Sequence, residues 1–152
     1  MKLEAAIKSN KFKSNNHKAT LNIIYTAWWL KSSLAKELKE YGLTHEQFNV
    51  LRILKGKHPE QMCVKDIASR MIEKNSNVPR IIDRLVIKKL VKRGNSEIDK
   101  RETVMNITPS GITIMEACST LMEKKMNSLI AISEEEADFL NQLLDKIRTN
   151  ES

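Results

Sequence analysis

Residues 75–108 read NSNVPRIIDRLVIKKLVKRGNSEIDKRETVMNIT, and this stretch decides the fold. Its first half sets Ile81, Ile82, Leu85, Val86 and Leu90 at roughly i, i+3, i+4 spacing, the apolar stripe of a helix lying on a core. The second half changes period. Val91, Lys92 and Arg93, and then residues 103–108, read as two strands around the turn-rich tip GNSEIDKR, which carries Lys100 and Arg101. A helix followed by a hairpin with a basic tip is the layout of a winged helix. The helix is fronted by Asn75, Ser76, Asn77 and Arg80, with Arg84 one turn on. Asn can bond adenine through two hydrogen bonds, Arg can do the same to guanine, and Ser serves phosphate or base. These residues are the predicted contacts of a helix whose N-terminal end enters a major groove.

Upstream, Met62 to Val64 read as a short strand leading into the helical segment VKDIASRM, with Ile67, Ala68 and Met71 facing inward. A turn at residues 72–74 then delivers the polar-fronted helix, and two helices so joined make a helix-turn-helix. Cys63 and Asp66 stand where a capping box carries Ser/Thr and Glu, so that box is degraded. A long helix is predicted over residues 16–41, with Leu21, Ile24, Tyr25, Trp28, Ala35 and Leu38 near one face and Gly42 as its terminator. The segment THEQ at residues 44–47 fits a capping box opening a helix with Phe48, Val50, Leu51, Ile53 and Leu54. Beyond the wing, a helix over residues 109–130 carries Ile114, Met115, Cys118, Leu121, Met122 and Leu129. A second box, SEEE at residues 133–136, opens a last helix striped with Ala137, Leu140, Leu143, Leu144 and Ile147. Residues 1–15, with Lys2, Lys8, Lys11 and Lys13, have little periodicity and read as a mobile or loosely docked arm.

The 152 residues suit one compact domain, or a domain with a dimerisation element, and four Gly with three Pro leave little room for long loops. The fold class predicted is therefore mainly α with a small β wing. A net charge of +7 is unevenly spread. Residues 65–101 hold eleven Lys/Arg against five Asp/Glu, whereas from Glu102 onward there are four against nine. A basic middle beside an acidic end suggests one face for a polyanion and another turned away. No apolar run is long enough for a membrane span and the lysine-rich start lacks a signal peptide's apolar stretch, so an intracellular, cytoplasmic protein without membrane contact is expected. Cys63 and Cys118 make neither a metal spacing nor a secreted disulfide framework. His17, His45 and His58 are scattered singly, so neither metal nor cofactor is predicted. No Gly-rich phosphate loop or nucleophile constellation marks an enzyme.

The pieces DIASRM, NVPRIIDRLVIKKLVKR, Asp99-Lys100-Arg101 and ITPSG (residues 107–111), in this order and spacing, resemble the MarR family of bacterial transcription regulators. The resemblance runs over nearly the whole chain. It implies a winged helix-turn-helix at residues 44–108, flanked by dimerisation helices at 16–43 and 109–152, in a homodimer seated on a pseudo-palindromic operator in double-stranded DNA. By position, Asn75, Ser76, Asn77 and Arg80 become recognition-helix contacts, and Lys100 and Arg101 wing contacts in the minor groove. Asp99 would orient the wing arginine or Arg84. The function implied is a sequence-specific transcriptional regulator, most often a repressor. Two positions depart from the family pattern. Pro79 stands where a Thr is common, tolerable because the first helical turn has unpaired N–H groups anyway. Lys88-Lys89 replaces a small residue plus Gly, so the helix is expected to end differently.

A small aromatic effector, in relatives that have one, sits near the helix carrying Trp28 and Trp29. Trp28 on the apolar stripe and Arg52 as partner for a carboxylate are the candidates here, against plain core packing for Trp28 and a solvent-facing role for Arg52. Two alternatives stay open. One is a winged helix used as a protein-interaction module without DNA binding. The other is a thiol-based redox-sensing regulator using Cys63, whose place at a helix N-terminus favours a thiolate. Cys118, on an apolar stripe, reads as core.

Overall fold

The computed structural model describes residues 1–149. Its elements run α1 (Leu3–Ala6), α2 (Asn15–Glu40), α3 (His45–Lys57), β1 (Met62–Cys63), α4 (Val64–Arg70), α5 (Val78–Ile87), β2 (Val91–Asn95), β3 (Thr103–Ile107), α6 (Pro109–Leu129) and α7 (Glu134–Ile147). The predicted order of helices and wing strands is observed. The N-terminal segment lies docked against α2, the second of the two forms expected of it. Leu3 is buried, Glu4 pairs with Lys18, and the Lys18 ammonium lies 5.4 Å from the centre of the Phe12 ring. Among the described residues no helix is long and apolar enough to cross a membrane.

Caps set the boundaries. Both sequence-predicted boxes form: Thr44 and Gln47 exchange hydrogen bonds at the start of α3, and Ser133 and Glu136 at the start of α7. Cys63 is the N-cap of α4 and makes no side-chain cap bond, as its degraded box implied. Helix α5 begins at Val78, three residues later than the polar front suggested, with Asn77 as its N-cap and Pro79 inside the first turn. Asn75 and Ser76 therefore belong to the preceding turn. Its C-terminus carries the Lys88-Lys89 departure. Lys89 adopts φ +60°, its N–H reaches the Val86 carbonyl, and the Leu90 N–H reaches the Leu85 carbonyl. This is the same paired pattern that Gly42, at φ +66°, makes after α2. A lysine thus occupies a backbone position that favours glycine.

The sheet is antiparallel in the order β1-β3-β2, with Met62 opposite Met105 and Arg93 also opposite Met105 across the other edge of β3. Phe48, Leu51, Leu54, Ile67, Ile82, Leu85, Met105 and Cys118 form the core beneath it, joining α3, α4, α5, the wing and the first turns of α6. The junction of wing and α6 is the tightest point. Thr108 donates its N–H to the Leu90 carbonyl and its hydroxyl to the Lys89 carbonyl, while the same hydroxyl caps Gly111. A Cβ on Gly111 would lie 2.2 Å from the Leu90 carbonyl oxygen.

The two ends of the chain pack differently from the centre. In α2 only Leu38 is buried, Ile24 and Trp28 are 61% and 59% exposed, and α7 buries no residue at all. Of the predicted stripe of α2, Leu38 is buried and Leu21 and Tyr25 are partly covered, whereas Ile24, Trp28 and Ala35 are exposed, so Trp28 is no core residue. Phe139, Leu140, Leu143 and Ile147 likewise face outward.

Gly111→Ala is expected to cost about 1–3 kcal/mol, because the methyl meets a backbone carbonyl that cannot swing aside. Lys89→Gly is expected to stabilise by roughly 0.5–1 kcal/mol, relieving a left-handed side-chain-bearing residue. Urea unfolding of both variants checks the pair, and the opposite ordering would contradict the junction described.

Candidate nucleic-acid interface

The turn after α4 and the first two turns of α5 build the candidate site. An open depression of about 370 Å³ is lined by Asn75, Ser76, Asn77, Arg80 and Arg84 together with Thr44, Glu46 and Glu73. Five of the seven sequence-predicted DNA contacts are therefore brought together on one exposed surface. Lys100 and Arg101 stand apart, exposed at the wing tip.

The individual roles are finer than the sequence suggested. Asn77 Oδ1 accepts the Arg80 backbone N–H at 3.2 Å, so its carbonyl oxygen serves the helix and its exposed amide N–H₂ is what faces outward. Ser76 Oγ is buried and without a hydrogen-bond partner among the described residues. Ser76 still lines the depression, but its hydroxyl is less accessible there than the side chains of Asn75, Asn77 and Arg80. Arg80 and Arg84 are exposed and make no ion pair among the described residues. The one acid within α5, Asp83, is taken by Arg93 of β2. The arginine face of the helix is left unopposed on its own element.

Asp99 also differs from expectation. Its carboxylate accepts the Arg101 backbone N–H at 3.0 Å, and its carbonyl accepts the Glu102 N–H at 2.9 Å. It pairs with neither the Arg101 nor the Arg84 side chain. Ser96 completes the knot: its hydroxyl accepts the N–H groups of Ile98 and Asp99, each at 3.3 Å, and its own N–H reaches the Glu102 carbonyl. Asp99 therefore shapes the tip while the cationic side chains stay free. Ile98, which the sequence reading passed over, is fully exposed beside them.

Several other cations have structural destinations. Lys88 Nζ donates to the Gly42 carbonyl and to Gln47 Oε1, the oxygen that also closes the α3 capping box. Lys74 Nζ donates to the Ser69 carbonyl at 2.8 Å, closing the C-terminal turn of α4.

Arg52 and Trp28 line different spaces. Arg52 borders a 230 Å³ cavity between α2, α3, the turn before α5 and α6, walled by Leu34, Phe48, Met71 and Met122. Trp28 edges a shallower neighbouring depression, and Lys31 and His45 border both. Cys63 is half-buried. The Asp66 N–H favours its thiolate, but burial and the carboxylates of Asp66 and Glu102 oppose it, and the thiol ends above its ordinary pKa. That counts against the redox alternative. Burial pushes the Cys118 thiol up as well. Among the described residues no cluster of His, Cys, Asp and Glu could hold a metal ion.

Residues 33–118, more than half of the chain, match the family described as transcriptional regulator SarA/Rot. The chain belongs to that family of regulators. It is 33% identical over 112 residues to the HTH-type transcriptional regulator MgrA of Staphylococcus aureus, covering 74% of each chain. The fold is shared with MepR of S. aureus solved as a DNA complex, at TM-score 0.78 and 23% identity over 92% of this chain and 99% of that one. A mutant MarR of E. coli complexed with operator DNA superimposes at TM-score 0.79 and 22% identity, covering 91% and 99%. The MarR-type winged helix read from DIASRM, residues 77–93, Asp99-Lys100-Arg101 and ITPSG is thereby borne out.

Asn77→Asp keeps a cap acceptor and loses the amide donors, whereas Asn77→Ala loses both. Only the alanine variant is expected to lower stability, by about 1 kcal/mol. Thermal melts alongside duplex binding separate capping from base contact, and equal destabilisation by both variants would remove the capping assignment.

Proposed function

We propose that this chain is a homodimeric, sequence-specific DNA-binding regulator that acts in the cytoplasm, occupying a pseudo-palindromic operator and repressing from it. The observation that carries the reading is the gathering of Asn75, Asn77, Arg80 and Arg84 on one exposed surface, with Lys100 and Arg101 free at the wing tip. Arg80 and Arg84 offer forked donors suited to guanine edges and the Asn amides suit adenine, whereas the lysine at the exposed tip suits phosphate. A winged helix serving only protein contacts has no use for this combination. The DNA-bound forms of MepR and MarR support the same reading.

Arg80→Ala is expected to cost about 1–3 kcal/mol on the selected duplex and to relax preference at one position per half-site. Lys100→Ala should weaken all sequences alike and lower the salt slope by roughly one. Fluorescence anisotropy across a salt series on selected and random duplexes checks both. Equal losses on the two duplexes for Arg80→Ala would sink its role as a reader.

The dimer rests on the uncovered faces of α2 and α7. Phe139, Leu140, Leu143 and Ile147 make α7 amphipathic with nothing of its own chain over the apolar side, and such a surface is unfavourable on a free monomer. Removing residues 134–152 is expected to yield monomer or aggregate and to collapse duplex affinity, read by light scattering and anisotropy. A soluble dimer of unchanged affinity would contradict this.

A second reading concerns regulation. The 230 Å³ cavity is apolar within and carries Arg52 and Lys31 at its margin, which suits a small aromatic acid. A ligand there lies between the long helices and the recognition turn, where it can alter the spacing of the two half-site readers.

A further inference from the structure

Glu73 and Glu46 are the two acids on a surface otherwise lined mostly by amides and arginines, and Glu73 is the one with a lysine partner. It lines the DNA-facing depression with Asn75, Arg80 and Arg84, and it also lines the apolar cavity that Arg52 borders. Its carboxylate is engaged by the Lys31 ammonium of α2, a pair formed across 42 residues of sequence. Lys31 is itself placed by α3, since His45 Nε2 lies 2.9 Å from the Lys31 carbonyl. The turn carrying Glu73 is anchored next door, where the Ile72 N–H donates to Asn49 Oδ1 at 3.0 Å. Glu73 is thus held in a fixed turn, and one lysine from the long helix decides whether its charge is neutralised.

The electrostatics follow from scale. A phosphate seated against Arg80 and Arg84 lies within the screening length of roughly 8–10 Å from the rest of the depression, so an uncompensated carboxylate there opposes DNA. We propose that Lys31 is a positioning residue for DNA binding: by holding Glu73 paired it keeps the carboxylate of the recognition turn from opposing a duplex. This rests on the DNA-binding reading and deepens it. Wild-type Lys31 and Glu73 are both about half exposed, so the pair is worth little to stability and is free to exchange partners.

The experiment compares wild type with Lys31→Met, Lys31→Arg, Glu73→Gln and the double variant Lys31→Met/Glu73→Gln, measuring affinity for a duplex selected by the wild-type protein. An exposed pair supports roughly a threefold effect per protomer, hence about ninefold for two independent half-sites. Lys31→Met should lose that much, Lys31→Arg should retain binding, and the double variant should recover it. The Lys31→Met deficit should shrink as salt rises, which a packing defect would not do. Equal losses for Lys31→Met and the double variant overturn the proposal while leaving DNA binding intact, whereas a wild type that binds no duplex overturns both readings.

Discussion

The whole DNA-facing lobe hangs on the approach of Gly111 to the Leu90 carbonyl. At that point the end of α5, the base of the wing and the start of α6 meet within one hydrogen-bonded corner. Any side chain at residue 111 would push α6 off the wing, and any loss of the Thr108 hydroxyl would free both the Lys89 carbonyl and the first turn of α6. Because α6 is also one of the long helices, this corner sets the angle between α5 with its wing and the long helix that leaves it. The strained Lys89 sits in the same corner. Its left-handed backbone is the geometry that lets Leu90 fold back under α5, and packing there outweighs the local preference for glycine.

Charge in the basic middle of the chain is divided between holding the fold and facing outward. Lys88 ties α5 to the corner between α2 and α3, Lys74 closes α4, and Arg93 neutralises Asp83. What remains without an ion pair among the described residues is Arg80 and Arg84 on α5, with Lys100 and Arg101 at the wing. Without Arg93, Asp83 would sit bare on the recognition helix, one residue from Arg84.

The fold was legible because its signals are local: the boxes at Thr44 and Ser133, the period change after Leu90, and the ITPSG corner each depend on neighbours within a few residues. The site was legible in composition and less so in detail. Asn75, Ser76, Asn77 and Arg80 were rightly placed together, but four polar residues in a row do not announce which one caps the helix. Asn77 took that role, which moved the helix start and left Ser76 buried. Asp99 pointed to a side-chain partner by charge alone, whereas a turn of this length offers it an N–H two residues on, and that is closer. Core packing of Trp28 failed for a different reason: a helical stripe says that a face is apolar and not what covers it, so periodicity alone could not tell a core position from an exposed one.

The same ambiguity links the two ends of the molecule. Helices α2 and α7 spend their apolar faces outside the chain's own core, so their positions are set less by the lobe than by whatever covers them. Lys31 lies on α2, and its reach to Glu73 is short only while α2 keeps its present station against α3. A shift of α2 therefore bares or neutralises the Glu73 charge without moving Arg80 or Arg84, so the electrostatics of the candidate surface are set in part by a helix that contributes no residue to it.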